Sequence, residues 1–268
     1  MTQNVEVFNI YAWQEIKNAR DKILKVVMNE EPDILLFQEF YSRNKTSDDN
    51  NNIEQFKNLT PLKDYSFKVR IKAGDAKDKH YGMVIYSKYP IVNKGELTLE
   101  NTRNQIMFCD VQLPDSKIVR VFNAHLQSIY LNHDEFDFNY ELDAEAPPSM
   151  FKKPLSIMRK LRQAYTKRGA QVNQLTAAIE QSPYPVILCG DFNDTPVSYT
   201  YNSVKKYLND AFLKDGLGIG STYAGNIPAL RIDYIFTDPV FNVLYFKKLT
   251  EKNADHYGLI TEVSYDGI

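Results

Sequence analysis

Apolar positions along this chain recur mostly with the two-residue period of extended backbone, in short runs bounded by turn residues. Such runs span 33–37, 65–71, 81–87, 96–99, 105–113, 118–125, 185–191, 231–236, 243–249 and 259–263. Helical period appears at 14–31, where Ile16, Ala19, Ile23 and Val27 share one face and Pro32 stops the run. Further helices are expected at 155–181 and, after Pro196, at 198–208, while 48–52 reads as a polar loop. No repeat and no Gly/Ser/Pro linker divides the chain, so 1–268 reads as one domain whose first strand begins abruptly at Met1. The helices do not alternate strictly with the strands, which argues against a doubly wound parallel sheet. The expected class is α+β, with two mixed sheets packed face to face and the helices outside. Each half of the chain is expected to supply one sheet, with the site in the cleft between strand ends.

Composition narrows the class. With 43% hydrophobic, 13% aromatic and 25% charged residues, the 268-residue chain can bury a large core, which excludes a disordered or fibrous protein. A net charge of -2 lacks the positive field of non-specific nucleic-acid binders, although a local groove can still be basic. There is no apolar run of about 18 residues, and residues 1–9 resemble no signal peptide. Cys109 and Cys189 lie inside apolar strand runs and read as core thiols, since two cysteines make no disulfide framework.

Polar residues gather where apolar strands end: Gln38-Glu39, Asn123-x-His125, Gly190-Asp191-Phe192-Asn193, Arg231-x-Asp233-Tyr234 and Asp255-His256, with Asn4 near the start. Carboxylate and amide oxygens without thiolates suit a hard cation, Mg²⁺ or Mn²⁺, whereas zinc favours Cys and His. Each residue has a structural rival: Asp191 and Asn193 as turn caps, Glu39 as a solvated strand end, His125 and His256 as core histidines, Asp233 as a salt-bridge partner of Arg231. His80 and His133 fit no motif and read as surface residues.

In this order the motifs resemble the endonuclease/exonuclease/phosphatase superfamily, from Asn4 to about Val263. The resemblance implies a four-layer α/β sandwich with its site at one end of two sheets, and a Mg²⁺- or Mn²⁺-dependent hydrolase of phosphoric esters. Carried over residue by residue, it implies that Glu39 and Asn4 hold the metal and Asp255 completes its shell. Asp191 deprotonates the attacking water, Asn193 holds that water or the phosphate, and His125 and His256 stabilise the phosphorane. Asp233 keeps His256 cationic, and Asn123 and Arg231 contact substrate. Gln3 and Ala254 depart from the family pattern without removing a charge. Similar bacterial members often carry membrane helices ahead of this domain, so the chain reads as possible catalytic part of a tethered protein.

The inositol 5-phosphatase signature is missing, since Asp194-Thr195-Pro196 follows Asn193. The stretch 123–127 looks most like the sphingomyelinase and general phosphodiesterase side. The expected substrate is therefore a phosphodiester, lipid or small molecule, for a monomer needing no protein partner. A DNA or RNA nuclease is the alternative within the same chemistry, and a catalytically silent binding domain is the alternative outside it. Paired-carboxylate glycoside hydrolysis leaves Asn193, His125 and His256 without a role. Residues 134–145 hold six acids and no base, and 152–168 hold seven bases and no acid, which suggests a basic helix beside the cleft.

Overall fold

The computed structural model describes residues 1–11, 18–43, 51–72, 78–100, 102, 104–129, 152–225 and 229–265. One sheet takes β1 (Thr2–Asn4), β2 (Ile34–Arg43), β3 (Asp64–Lys72), β4 (Lys79–Ser87), β11 (Asn242–Lys248) and β12 (Leu259–Ser264), in the order β11-β12-β1-β2-β4-β3. The other takes β5 (Ile91–Leu97), β6 (Gln105–Gln112), β7 (Ile118–His125), β8 (Val186–Asp191), β9 (Asn209–Asp210) and β10 (Asp233–Thr237), in the order β5-β6-β7-β8-β10-β9. Both sheets are mixed: β1 runs parallel to β2 and β7 parallel to β8, against antiparallel neighbours. The expectation of one sheet per half is therefore corrected. The middle of the chain forms one sheet, while the last two strands return to the edge strand of the first.

Three apolar clusters make the layers. Between the sheets, Leu36, Met83 and Leu259 meet Cys109, Val121, Cys189 and Ile235. Outside the first sheet, Phe37 and Phe40 pack on Ile23 and Val27 of α1 (Ala19–Glu30) and on Phe56 of α2 (Asn52–Leu59). Outside the second, Phe122, Leu188 and Phe236 pack on Val172 and Leu175 of α3 (Lys152–Glu180) and on Tyr201 of α4 (Tyr199–Val204). This is the four-layer sandwich. Both faces of each central strand are buried, which is why runs such as 34–37 read as continuously apolar.

Several elements differ from expectation. The helix expected at 14–31 starts at Ala19, because Asn18 before it takes a left-handed conformation at the N-cap; 12–17 lie outside the described residues. The end of the supposed polar loop is a helix start: the Asn51 side chain accepts from Glu54 N and caps α2. Strand β5 starts at Ile91, earlier than the run at 96–99, because its outer positions are polar and blur the period. Asp210 caps a five-residue helix, α5 (Ala211–Asp215), too short for periodicity to reveal. His80 is buried in β4, and His133 lies outside the described residues. Cys109 and Cys189 are free, buried thiols, each pushed up to about 12 chiefly by burial. Among the described residues, no helix is long and apolar enough to cross a membrane.

Candidate active site

Alternation along the second sheet selects which side chains can meet. In β7, β8 and β10, residues such as Val121, Cys189 and Ile235 face the other sheet, so His125, Asp191 and Asp233 face it too, at even spacing from them. The strand register then aligns them. His125 pairs with Asp191 across β7 and β8, and Asp191 pairs with Asp233 across β8 and β10. One row of side chains thus crosses three neighbouring strands at the rim of the sandwich.

The first sheet supplies the facing group. Asn4 ends β1, and its Nδ2 donates to Asp191 Oδ2 at 3.2 Å and toward Glu39 Oε1 at 3.4 Å. Its Oδ1 accepts from Glu6 N at 3.1 Å, so in this geometry the nitrogen, not the oxygen, faces the carboxylates. Glu39 sits at a register shift in β2 between Phe37 and Phe40, with φ of 50°. A bulge of this kind turns one side chain out of the alternating pattern at a local energetic cost. Glu39 Oε1 comes to 3.7 Å from His125 Nε2, as does Asp191 Oδ2.

The loop before β12 brings Asp255 and His256. His256 Nδ1 lies 2.8 Å from Asp233 Oδ2, and its Nε2 lies 3.9 Å from both Asp191 Oδ2 and Asp255 Oδ1. Gln3, the residue that departs from the family pattern, donates from Nε2 to the backbone carbonyl of His256 at 3.0 Å. It therefore does positional work that an aromatic ring would not do. Glu6 Oε2 accepts from Asp255 N, and Thr222 Oγ1 accepts from the backbone N of Ile232 and Asp233. Tyr223 lies edge-on to the His256 ring at 5.4 Å. Gln3, Glu6, Thr222 and Tyr223 escape sequence reasoning because their roles depend on contacts between distant segments.

Burial sets the charge states. Burial pushes Asp191 up to about 6, against the pull of the neighbouring imidazole of His256, with Asp233 adding to the rise. Asp255 is raised by burial, with Glu39 and Asp233 also contributing against His256. For His256, burial acts downward, but the charges of Asp233 and Asp191 outweigh it and hold the imidazolium well above the ordinary histidine range. Asn193 has φ of 51°, so the segment after Asp191 is a turn. Its backbone N donates to Asp191 Oδ1 and its Nδ2 to Asp191 Oδ2 and Leu126 O, which fixes the carboxylate.

Two expected substrate contacts lie elsewhere. Asn123 is fully buried between the sheets: Nδ2 donates to Phe37 O and Val84 O, and Oδ1 accepts from Gln38 Nε2. Its side chain is consumed in tying the sheets together. Arg231 Nη1 bonds Asp210 Oδ2 at 2.7 Å, and its guanidinium stacks over Phe212 at 4.6 Å, away from the row of acids. Arg168, counted in the basic helix face, is likewise buried, donating to Asp194 Oδ2 and Gln127 O. The acidic stretch 134–145 lies outside the described residues.

Asn4, Glu39, His125, Asp191, Asn193, Asp255 and His256 line a cleft of about 240 Å³ with apolar walls from Ile129, Leu230 and Ile232, and Asp233 is joined to it through His256. Three ligand atoms, one each from Asp191, Asp233 and His256, lie within 4.8 Å of one another. The short contact between His256 and Asp233 is a hydrogen-bonded pair, which leaves Glu39 and Asp255, with Asp191, as the carboxylates that could hold a cation. Asp255 Oδ1 is buried with no hydrogen-bond partner, and such an orphaned carboxylate oxygen fits a divalent cation.

Comparisons with known proteins agree with this geometry. No curated protein sequence matches the chain. An endonuclease/exonuclease/phosphatase protein of Beutenbergia cavernae is 16% identical, with a TM-score of 0.70 over 99% of this chain and 71% of that one. The mannosyl-6-phosphatase Bt3783 of Bacteroides thetaiotaomicron is 18% identical, with a TM-score of 0.63 over 92% of this chain and 91% of that one. The human Nocturnin catalytic domain with bound sulfate anion is 16% identical, with a TM-score of 0.64 over 98% and 92%. These likenesses establish the fold. The Endonuclease/Exonuclease/phosphatase family model matches residues 1–256, and family members hydrolyse phosphoric esters, generally with a divalent metal. The aligned row of His125, Asp191 and Asp233 facing Glu39 therefore stands on a chain that belongs to the endonuclease/exonuclease/phosphatase family.

Proposed function

We propose that the chain is a Mg²⁺- or Mn²⁺-dependent phosphodiesterase that hydrolyses a small or lipid phosphodiester by in-line attack of water. The observation that carries this reading is the buried row His125, Asp191 and Asp233, closed by His256 and opposed by Glu39 and Asp255. Each imidazole stands among carboxylates, with His125 Nε2 3.7 Å from Glu39 and Asp191 and His256 Nε2 3.9 Å from Asp191 and Asp255, so a base and two oxyanion donors sit side by side. Asp191, held by Asn193 and Asn4, takes the proton from water at its carboxylate. His256 and His125 donate to the non-bridging phosphate oxygens as charge develops there. Asp233 and Gln3 position His256. Glu39 and Asp255 would hold the cation, with Asn4 orienting Glu39; the metal would supply Lewis-acid polarisation of a phosphate oxygen.

The cleft walls favour a small or apolar ester over a nucleic-acid strand: among the described lining residues, Ile129, Leu230, Ile232 and Tyr223 are present and no Lys or Arg is. Nucleic acid recognition rests mostly on cations that meet phosphates. Exhaustive chelation should abolish hydrolysis of bis-p-nitrophenyl phosphate, and Mg²⁺ or Mn²⁺ should restore it. Full activity in the chelated protein would overturn the reading. A panel of sphingomyelin, lysophospholipids, cyclic nucleotides and DNA would then rank leaving groups.

The pairing of Asp233 with His256 has a separate signature. The charge of Asp233 raises the His256 pKa, so a required imidazolium is lost only as pH rises through that raised value. Asp233→Asn should therefore move the alkaline limb of the kcat profile to lower pH. An unchanged limb with an unchanged rate would make Asp233 a purely structural residue.

A further inference from the structure

Arg168 of α3 is fully buried, yet the proposed reaction gives it no role. Burial of an arginine against an aspartate is a poor source of stability, because loss of hydration offsets most of the attraction between the charges. Here Nη2 is buried with no hydrogen-bond partner among the described residues, which adds a further cost. A role in geometry accounts for the residue. Nε donates to Asp194 Oδ2 at 3.1 Å and Nη1 donates to the carbonyl of Gln127 at 2.8 Å, so one planar fork spans two separate segments.

Both segments continue the catalytic row. The first, 126–129, follows His125 and places Ser128 and Ile129 on the cleft wall. The second, 192–195, follows Asp191 and contains Asn193, which fixes the Asp191 carboxylate. The register of β7 and β8 ends at His125 and Asp191, and Leu126 N adds one more bond to Asp191 O. Beyond that point side chains hold the segments together. Asn193 Nδ2 reaches Leu126 O, while Arg168 takes the next carbonyl, Gln127 O, and the next side chain, Asp194. The surroundings fix this contact in turn: Thr200 Oγ1 donates to Asp194 Oδ2 at 2.8 Å, Gln171 Oε1 of α3 accepts from Gln127 N at 2.9 Å, and the Tyr165 ring lies 4.6 Å from the guanidinium.

We propose that Arg168 is a positioning residue, a clamp from α3 that sets the spacing between the segments after His125 and Asp191, and with it the distance between oxyanion donor and base. His125 Nε2 and Asp191 Oδ2 stand 3.7 Å apart in the clamped geometry. Lysine keeps the charge but lacks the planar fork that spans both acceptors. Misplacement of reacting groups by about 1 Å costs on the order of 10²-fold in rate. The effect on catalysis rests on the reaction proposed above; the clamp itself does not.

Arg168→Lys in the full chain should lower kcat for bis-p-nitrophenyl phosphate by on the order of 10²-fold and change KM by less than about threefold. Asp194→Asn alters the other half of the contact and should give a loss of similar size, with the double variant no worse than either single one. Ile179→Ala, buried in the core about 16 Å further along α3, is the control for lost stability. It should lower the melting temperature and leave kcat within about twofold. Hydrogen exchange read by mass spectrometry is independent of activity. Arg168→Lys and Asp194→Asn should speed exchange at 126–129 and 192–195 by about tenfold, and Ile179→Ala should not. Parental kcat in both clamp variants, multiplied losses in the double variant, or unchanged exchange in the two segments would overturn the proposal. A kcat loss in Ile179→Ala that matches theirs would make Arg168 a support of the fold alone and equally overturn it. If the parent hydrolyses no phosphodiester, the reaction proposed above fails, and hydrogen exchange still decides whether the clamp exists.

Discussion

Asp191→Asn is expected to lower kcat on a phosphodiester by on the order of 10³-fold, the usual scale for removing a general base. The same variant should leave the metal-free protein at least as stable as the parent at pH 7. Burial holds folded Asp191 at about 6, above its ordinary 3.8. A raised carboxyl pKa favours folding below the ordinary value, and that contribution is lost as pH rises through about 6. Above it, the ionised group costs at most about 3 kcal/mol. An amide removes this cost, although it places one NH₂ against that of Asn4 and weakens the support of His256. The net expectation is a gain of about 1 kcal/mol, a melting temperature higher by a few degrees in chelator. Added Mg²⁺ should narrow the difference. A variant that keeps near-parental turnover would remove Asp191 from the base role. One that melts well below the parent in chelator would show that its carboxylate holds the fold together.

Gly190→Ala is expected to have the largest effect on stability. Gly190 has φ of 141°, and a Cβ there would lie 1.9 Å from the carbonyl oxygen of Ala124 on β7. The clash is with backbone inside the parallel pair of β7 and β8, so no side chain can move to relieve it. Strain and separation of the strands together should cost on the order of 4 kcal/mol, which corresponds to roughly 10 °C in melting temperature for a chain of this size. Because Asp191 follows directly and pairs in register with His125, any folded variant should also lose turnover. Differential scanning calorimetry and the chromogenic assay read both effects. A stable, active Gly190→Ala protein would mean that β7 and β8 can separate without disturbing the row.

Gly190 also illustrates how motif and fold relate. Gly-Asp-x-Asn is visible in the sequence as a turn-forming cluster after an apolar strand, and a turn is what forms, with Asn193 in a left-handed conformation that asparagine tolerates. The close approach to Ala124, which makes glycine obligatory, belongs to strand pairing and has no local sequence signal. Asn123 and His125 make the same point within one motif. Both face inward, yet Asn123 lies two residues deeper and is captured by Phe37 O and Val84 O, whereas His125 reaches the cleft. Arg231 and Asp233 divide similarly: one is taken up by Asp210, the other by His256.

By itself, the sequence determined the period of most strands, the apolar faces of α1 and α3, the absence of a disulfide framework and the oxygen-rich chemistry of the strand ends. Those properties are local, since alternation and capping act within a few residues. Only the tertiary structure decided that the terminal strands share a sheet, because pairing of β1 with β12 joins residues far apart in sequence. It also decided which polar residues meet. Register across β7, β8 and β10 lines up His125, Asp191 and Asp233, the bulge in β2 turns Glu39 toward them, and burial then sets their protonation. Each of these is a relation between segments, set by packing of the layers and carried by no residue alone.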